Sequence, residues 1–229
     1  MKLSKVIKIA IDAAMFILFA LLMGQHLTVS AHEWLGLAAF MLFILHNVLN
    51  YRWYAVLFKG RYTPIRTIQT TVDILLLVVM IICLVSSVLV SVNVFAFLDF
   101  GGSLVGRTLH LITTAWAFVL MSIHLGLHWS MFVTMAKKIN CPSLCKQIGK
   151  WIMRIAVLVV CVFGIYVFIE RAFYEELFYI TAFKAFDYDK SVLVYLLESV
   201  ALSTVFVCTA YYTKKLILHI RKRKVPRQV

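Results

Sequence analysis

HEWLGLAAFMLFILH, residues 32–46, and HLITTAWAFVLMSIH, residues 110–124, decide the fold. Each is an apolar stretch of helical length with a histidine at both ends. His32 and His46 are fourteen residues apart, and so are His110 and His124. At about 1.5 Å of rise per residue, each pair shares one helix face with about 21 Å between its members. Similar apolar runs recur along the chain, at about 6–27, 33–51, 70–93, 108–131, 151–170 and 191–213. Each approaches the roughly 20 residues that cross a bilayer. In a chain of 229 residues that is 63% hydrophobic, this pattern predicts an all-α integral membrane protein with six transmembrane helices.

The net charge of +13 does not point to nucleic acid, because of where the charge sits. With the N-terminus inside, 19 of the 23 Lys and Arg fall on the inner side; Arg107, Arg171, Lys184 and Lys190 are outside. Basic residues mark the cytoplasmic face, so both termini are expected there. Seven of the ten acids fall outside. Residues Arg221 to Lys224 read as a stop-transfer cluster that can also meet anionic lipid. The first 31 residues imitate a signal peptide ending in Val29-Ser30-Ala31, but the apolar stretch is long enough to span and reads as a retained first helix. Cys83, Cys161 and Cys208 sit mid-span as small apolar residues, and Cys141 and Cys145 fall in a cytoplasmic connection. No CxxCH occurs, so covalently attached haem is not indicated.

A weak internal repeat organises the first half. Spans one and two form a hairpin, as do three and four, and the second helix of each carries the histidine pair. Residues 97–106, with Asp99, Gly101, Gly102 and Gly106, read as an outer turn. The connection from Trp129 to Lys150 separates a four-helix bundle over 1–130 from a cytoplasmic segment and two-helix membrane hairpin over 131–229. The loop 170–190 is acidic and aromatic, a candidate docking surface or a solvated loop.

Parallel second and fourth spans place His32 with His110 at an outer level and His46 with His124 at an inner one. Imidazoles are costly inside a membrane unless used. Two matched pairs fit bis-imidazole ligation of two non-covalent haem b groups in a bundle interior. Zinc fits poorly, since each level offers two obvious ligands against the usual three or four. His128, one turn beyond His124, competes for the inner role; equal spacing favours His124, leaving His128 to bond a propionate or shape the rim. Gly36, one turn after His32, lets a porphyrin approach the helix. Arg107 and Arg52 can pair with propionates, with a positive-inside anchor as the other reading of Arg52. Trp34, Trp53, Trp116 and Trp129 suit macrocycle packing, and the first, second and last equally suit an interfacial belt. Asp12, Asp73 and Glu198 are the acids within spans, where carboxylates mark proton or quinone sites or snorkel to the interface.

Residues 25–129 carry HEWLG (His32–Gly36), H-x2-LN-x2-W (His46 to Trp53), His110 and H-x-G-x-HW (His124 to Trp129). In these motifs the chain resembles the DUF4405 family of bacterial membrane cytochromes. It departs from the family in having Ser86-Ser87 where Ser-Gly is usual midway along span three. The resemblance implies a haem subunit like those of formate dehydrogenases and b cytochromes, working with a flavinylated extracytosolic redox protein. It implies electron transfer between a quinone pool and that outer partner, as an electron-transfer subunit or a quinol-oxidising component of a larger oxidoreductase. The competing class is a transporter or assembly protein whose histidines bind metal or haem transiently. Pro64, Pro142 and Pro226 all lie outside the spans, which favours a rigid bundle over the broken helices of transporters.

Overall fold

A computed structural model describes residues 3–24, 27–100, 103–136, 143–181 and 190–224. It is helical, with no strand among those residues. The helices are α1 (Leu3–Leu22), α2 (Val29–Leu49), α3 (Tyr51–Val56), α4 (Pro64–Val90), α5 (Leu104–His128), α6 (Ser130–Ala136), α7 (Ser143–Glu170), α8 (Phe173–Phe178) and α9 (Val192–Lys224), with a 3-10 turn at Ala96–Leu98. Five helical stretches are long and apolar enough to cross a membrane: Val29–Leu49, Pro64–Val90, Leu104–Thr134, Gly149–Glu170 and Val192–Arg221. Their outward faces are apolar, as with Leu75, Val78 and Ile82 on α4 and Leu158, Val159 and Val162 on α7. Such surface is stable against lipid tails. α1 has 20 residues but carries Lys5, Lys8 and Asp12, and it is not among the five.

Hydroxyl side chains set where the helices begin. Thr28, Thr63, Ser103 and Ser191 each accept a hydrogen bond from the backbone N–H three residues on, starting α2, α4, α5 and α9. Pro64 follows Thr63 in the first helical position, where its missing N–H costs nothing. Thr63 and Ser103 lie before the apolar runs, which is why α4 and α5 begin before residues 70 and 108; α7 also begins before its run, at Ser143. The expected connection 129–150 is partly helical, through α6 and the start of α7. Asp99 sits in the left-handed region at φ 52° within the predicted outer turn. His26, Gly101, Gly102, Cys141, Lys184, Asp187 and Asp189 lie outside the described residues, as does part of the acidic loop.

Two compact units interleave along the chain. The first comprises Met1–Arg61, Val78–Phe118 and Glu175–Ser199. In it α1 packs along α2, and Lys8 Nζ donates to Leu49 O (2.6 Å) and Asn50 Oδ1 (3.0 Å), capping the end of α2. Thr108 Oγ1 donates to Tyr179 Oη (3.0 Å), and Trp116 Nε1 donates to Leu177 O (2.9 Å), tying α5 to the α8 segment. Glu198 pairs with Lys190 at 3.3 Å, which gives this intramembrane acid a structural partner.

The second unit comprises Tyr62–Leu77, Val119–Tyr174 and Val200–Val229. Here α9 lies close against both α5 and α7. A Cβ at Gly126 would stand 2.4 Å from Val207 O, and one at Gly164 would stand 2.3 Å from Ala201 O. Ser122 and Ser203 hydroxyls meet at 2.8 Å. Lys214 Nζ donates to Leu127 O and caps the end of α5. Small residues let backbones approach where lipid offers no hydrophobic drive for association. The last two spans, outside the family resemblance, thus support the trailing half of α5.

Gly126→Ala and Gly164→Ala should each cost roughly 1–3 kcal/mol through overpacking. Gly36→Ala should leave the fold unaffected, because a Cβ there meets nothing within 4 Å. Thermal unfolding in detergent checks all three: the first two should lower Tm by several degrees and the third should not.

Candidate functional site

The histidines at the start of α2 and α5 come together in the first unit. The His32 and His110 ring centroids are 6.2 Å apart and the rings are nearly perpendicular, at 81°. His110 Nδ1 lies 3.2 Å from Ser87 Oγ. That hydroxyl gives its proton to Cys83 O at 2.7 Å, so its oxygen accepts from His110 and leaves Nε2 as the second imidazole nitrogen. Ser87 thus has a partner in His110.

Glu33 fixes the position of His32. Its carboxylate accepts from Ser91 Oγ (2.7 Å), Asn93 Nδ2 (3.2 Å) and the backbone N–H groups of Val92, Asn93 and Val94 (2.9, 3.0 and 2.8 Å). These three amides are what the chain exposes as it leaves α4, which explains why that helix stops at Val90 rather than near 93. A Cβ at Gly106 would stand 2.9 Å from Leu89 Cβ, so α4 and α5 are also close at this end.

The trailing histidines fall in different units, and each has a carboxylate behind it. His46 Nδ1 is 2.7 Å from Asp12 Oδ1 in the first unit. His124 Nδ1 is 2.7 Å from Asp73 Oδ1 in the second. Each acid comes from the first helix of its hairpin and each histidine from the second. The residue one turn beyond repeats too: Asn50 Nδ2 lies 3.4 Å from His46 Nε2, and the His128 ring centroid lies 4.7 Å from that of His124. Asp73, His124 and His128 offer one donor atom each, all within 4.8 Å of one another. The second unit thus brings together three candidate metal donors among the described residues, where the sequence spacing offers two per level.

The remaining expected site residues are less engaged. Gly36 faces open space. Arg107 is exposed, one turn before His110. Arg52 is exposed on α3, donating from Nε to Tyr51 Oη at 3.4 Å. The same guanidinium holds the Tyr51 phenol below its ordinary pKa. Trp116 packs edge-on to Phe178. Asp12 and Asp73 stand out in the sequence as acids within spans, but their pairing with His46 and His124 does not. No family model, curated protein or solved structure matches this chain.

Glu33→Ala removes the acceptor for five hydrogen bonds and should destabilise the protein by roughly 1–3 kcal/mol. Ser91→Ala, which removes one of the five, should cost less. Unfolding midpoints of the two variants in the same detergent compare them directly.

Proposed function

We propose that the chain is a di-haem b-type cytochrome of a bacterial cytoplasmic membrane, of the DUF4405 kind. In this reading α1 is a sixth span, both termini are cytoplasmic, and electrons pass between a quinone pool and an extracytosolic, flavinylated redox partner. The His32–His110 separation carries the proposal. An imidazole nitrogen binds a metal at about 2 Å, and the ring centre lies about 1.1 Å behind it. With ring centroids 6.2 Å apart, His32 and His110 are the pair that would hold one haem iron. The back-bonding of Nδ1 in His46, His110 and His124 suits ligation through Nε2.

Bound haem would supply a one-electron couple, and two imidazoles per iron suit electron transfer rather than substrate binding at the metal. The chain's part is to hold and orient the ligands. Ser87 sets the His110 ring, Glu33 anchors the turn that carries His32, and the open face at Gly36 leaves room beside it. Arg107 is within one turn of His110 to meet a propionate, and Arg52 is the corresponding residue beyond His46. The inner pairing of His46 with His124 rests on the sequence register. His124 is favoured over His128 because His128 occupies the repeat position of Asn50, an amide. The apolar outward faces and the basic cluster Arg221 to Lys224 suit contact with membrane lipid, and nothing in the charge pattern calls for nucleic acid.

The Asp73, His124 and His128 cluster favours one rival, a transporter or assembly protein binding a divalent metal. Purified protein from haem-sufficient cells separates the two. We expect a b-type reduced-minus-oxidised spectrum, about two haems per chain, and complete extraction of the colour into acidic acetone. His32→Ala and His110→Ala should lose one haem and His46→Ala the other. His124→Ala should lose the same haem as His46→Ala, while His128→Ala keeps both. A colourless protein carrying stoichiometric zinc would establish the rival.

A further inference from the structure

α7 and α9 each carry one cysteine near the middle of an apolar span. Cys161 lies within Gly149–Glu170 and Cys208 within Val192–Arg221. Both belong to the second unit. Spacing along the chain gives them only the role of small apolar residues, yet the fold puts their thiols in direct interaction. We propose that Cys161 and Cys208 are a modification site, a thiol pair that a lipid-soluble quinone oxidises to a disulfide joining α7 to α9. Neither residue takes part in the haem reading above.

Helix register and close packing make the pair. A Cβ at Gly164 would stand 2.3 Å from Ala201 O and 2.7 Å from Val205 Cγ2, so the two helices touch at that level. Three residues back along α7 from Gly164 is Cys161, and three residues on along α9 from Val205 is Cys208. Contacts that step in opposite directions belong to antiparallel helices, and each step is about 4.5 Å at about 1.5 Å per residue. The thiols therefore meet within one turn of the closest backbone approach. A disulfide needs Cα atoms about 4.4–6.8 Å apart, a separation that small residues at a helix crossing favour. Both cysteines are half-buried, and Leu158, Val159 and Val162 beside Cys161 are exposed, so an oxidant dissolved in lipid can reach the pair. Cys83, by contrast, is buried in the first unit. In the reaction both S–H bonds break and one S–S bond forms. The two electrons and two protons pass to the quinone, which leaves as quinol. The consequence falls on α9. Val207, next to Cys208, holds its carbonyl against Gly126 of α5, and the Ser203 hydroxyl meets that of Ser122. A covalent link at Cys208 pins α9 at the turn that packs on α5, so oxidation clamps the support of α5's trailing half.

The test uses the full chain, purified in detergent under reducing conditions, freed of reductant and treated with a fully alkylated benzoquinone, which has no open ring position for a thiol to add to. Mass spectrometry of an unreduced digest should find the Cys161 and Cys208 peptides joined, at a mass two hydrogens below their sum. A phosphine reductant should release them, and Cys83 should stay open to alkylation once the protein is unfolded. The oxidised chain should unfold several degrees above the reduced one, because the link constrains the unfolded state. Cys161→Ala and Cys208→Ala should show no such gain on quinone treatment. Thiols at both positions that remain alkylatable after treatment, or a disulfide between other cysteines in place of this one, overturn the proposal. A Cys161 to Cys208 link that leaves the unfolding temperature unchanged overturns the clamp.

Discussion

An imidazole within an apolar helix has two nitrogens, and each must find a partner or be left as an uncompensated polar group. The arrangement around the histidines follows from that constraint. Ser87 takes one nitrogen of His110, Asp12 one of His46, and Asp73 one of His124. The three partners come from α1 and α4, the helices that precede the histidine-bearing ones. Hairpin topology is therefore what supplies the second partner. α1 illustrates the consequence: its charges would be costly against lipid, yet Lys8 and Asp12 are both spent on α2.

The ends of the two histidine helices are held by different means. α2 is fixed at its start by Glu33, reaching the amides that follow α4, and at its end by Lys8. The end of α5 is held by Lys214 from α9, and its trailing half by close backbone contact at Gly126. Ammonium groups on the last carbonyls suit the negative end of the helix dipole. The placement of these histidines tolerates little slack, because one turn of axial slip moves a side chain by about 5 Å. Fixing both ends removes that freedom.

Much of this was legible in the sequence, and the reason for the remainder is physical. Fourteen-residue spacing and apolar runs report helix rise and membrane thickness, which are local quantities. They give the helices, the shared faces and the His32–His110 pairing. Asp12 and Asp73 were visible as acids in apolar runs, but which residue they meet depends on how neighbouring helices are rotated, and one sequence carries no such term. Gly126 faces α9, a helix whose packing the sequence leaves unspecified. Helix ends were misplaced where polar caps such as Thr63 and Ser103 extend the helix beyond the apolar run.

The cluster of Asp73, His124 and His128 is where the two functional readings compete. Two donors bound at about 2 Å to one tetrahedral ion lie about 3.3 Å apart. Asp73 Oδ1 and His124 Nδ1 are 2.7 Å apart, the spacing of a donor and its acceptor. For both to bind one ion, the pair would have to separate and Nδ1 give up its proton. For His124 to bind iron through Nε2, the pair stays as it is. His46 and Asp12 adopt the same spacing with Asn50 in place of a second histidine, so the arrangement does not need a third metal donor. The repeated feature is an imidazole whose Nδ1 is held by a carboxylate from the preceding helix.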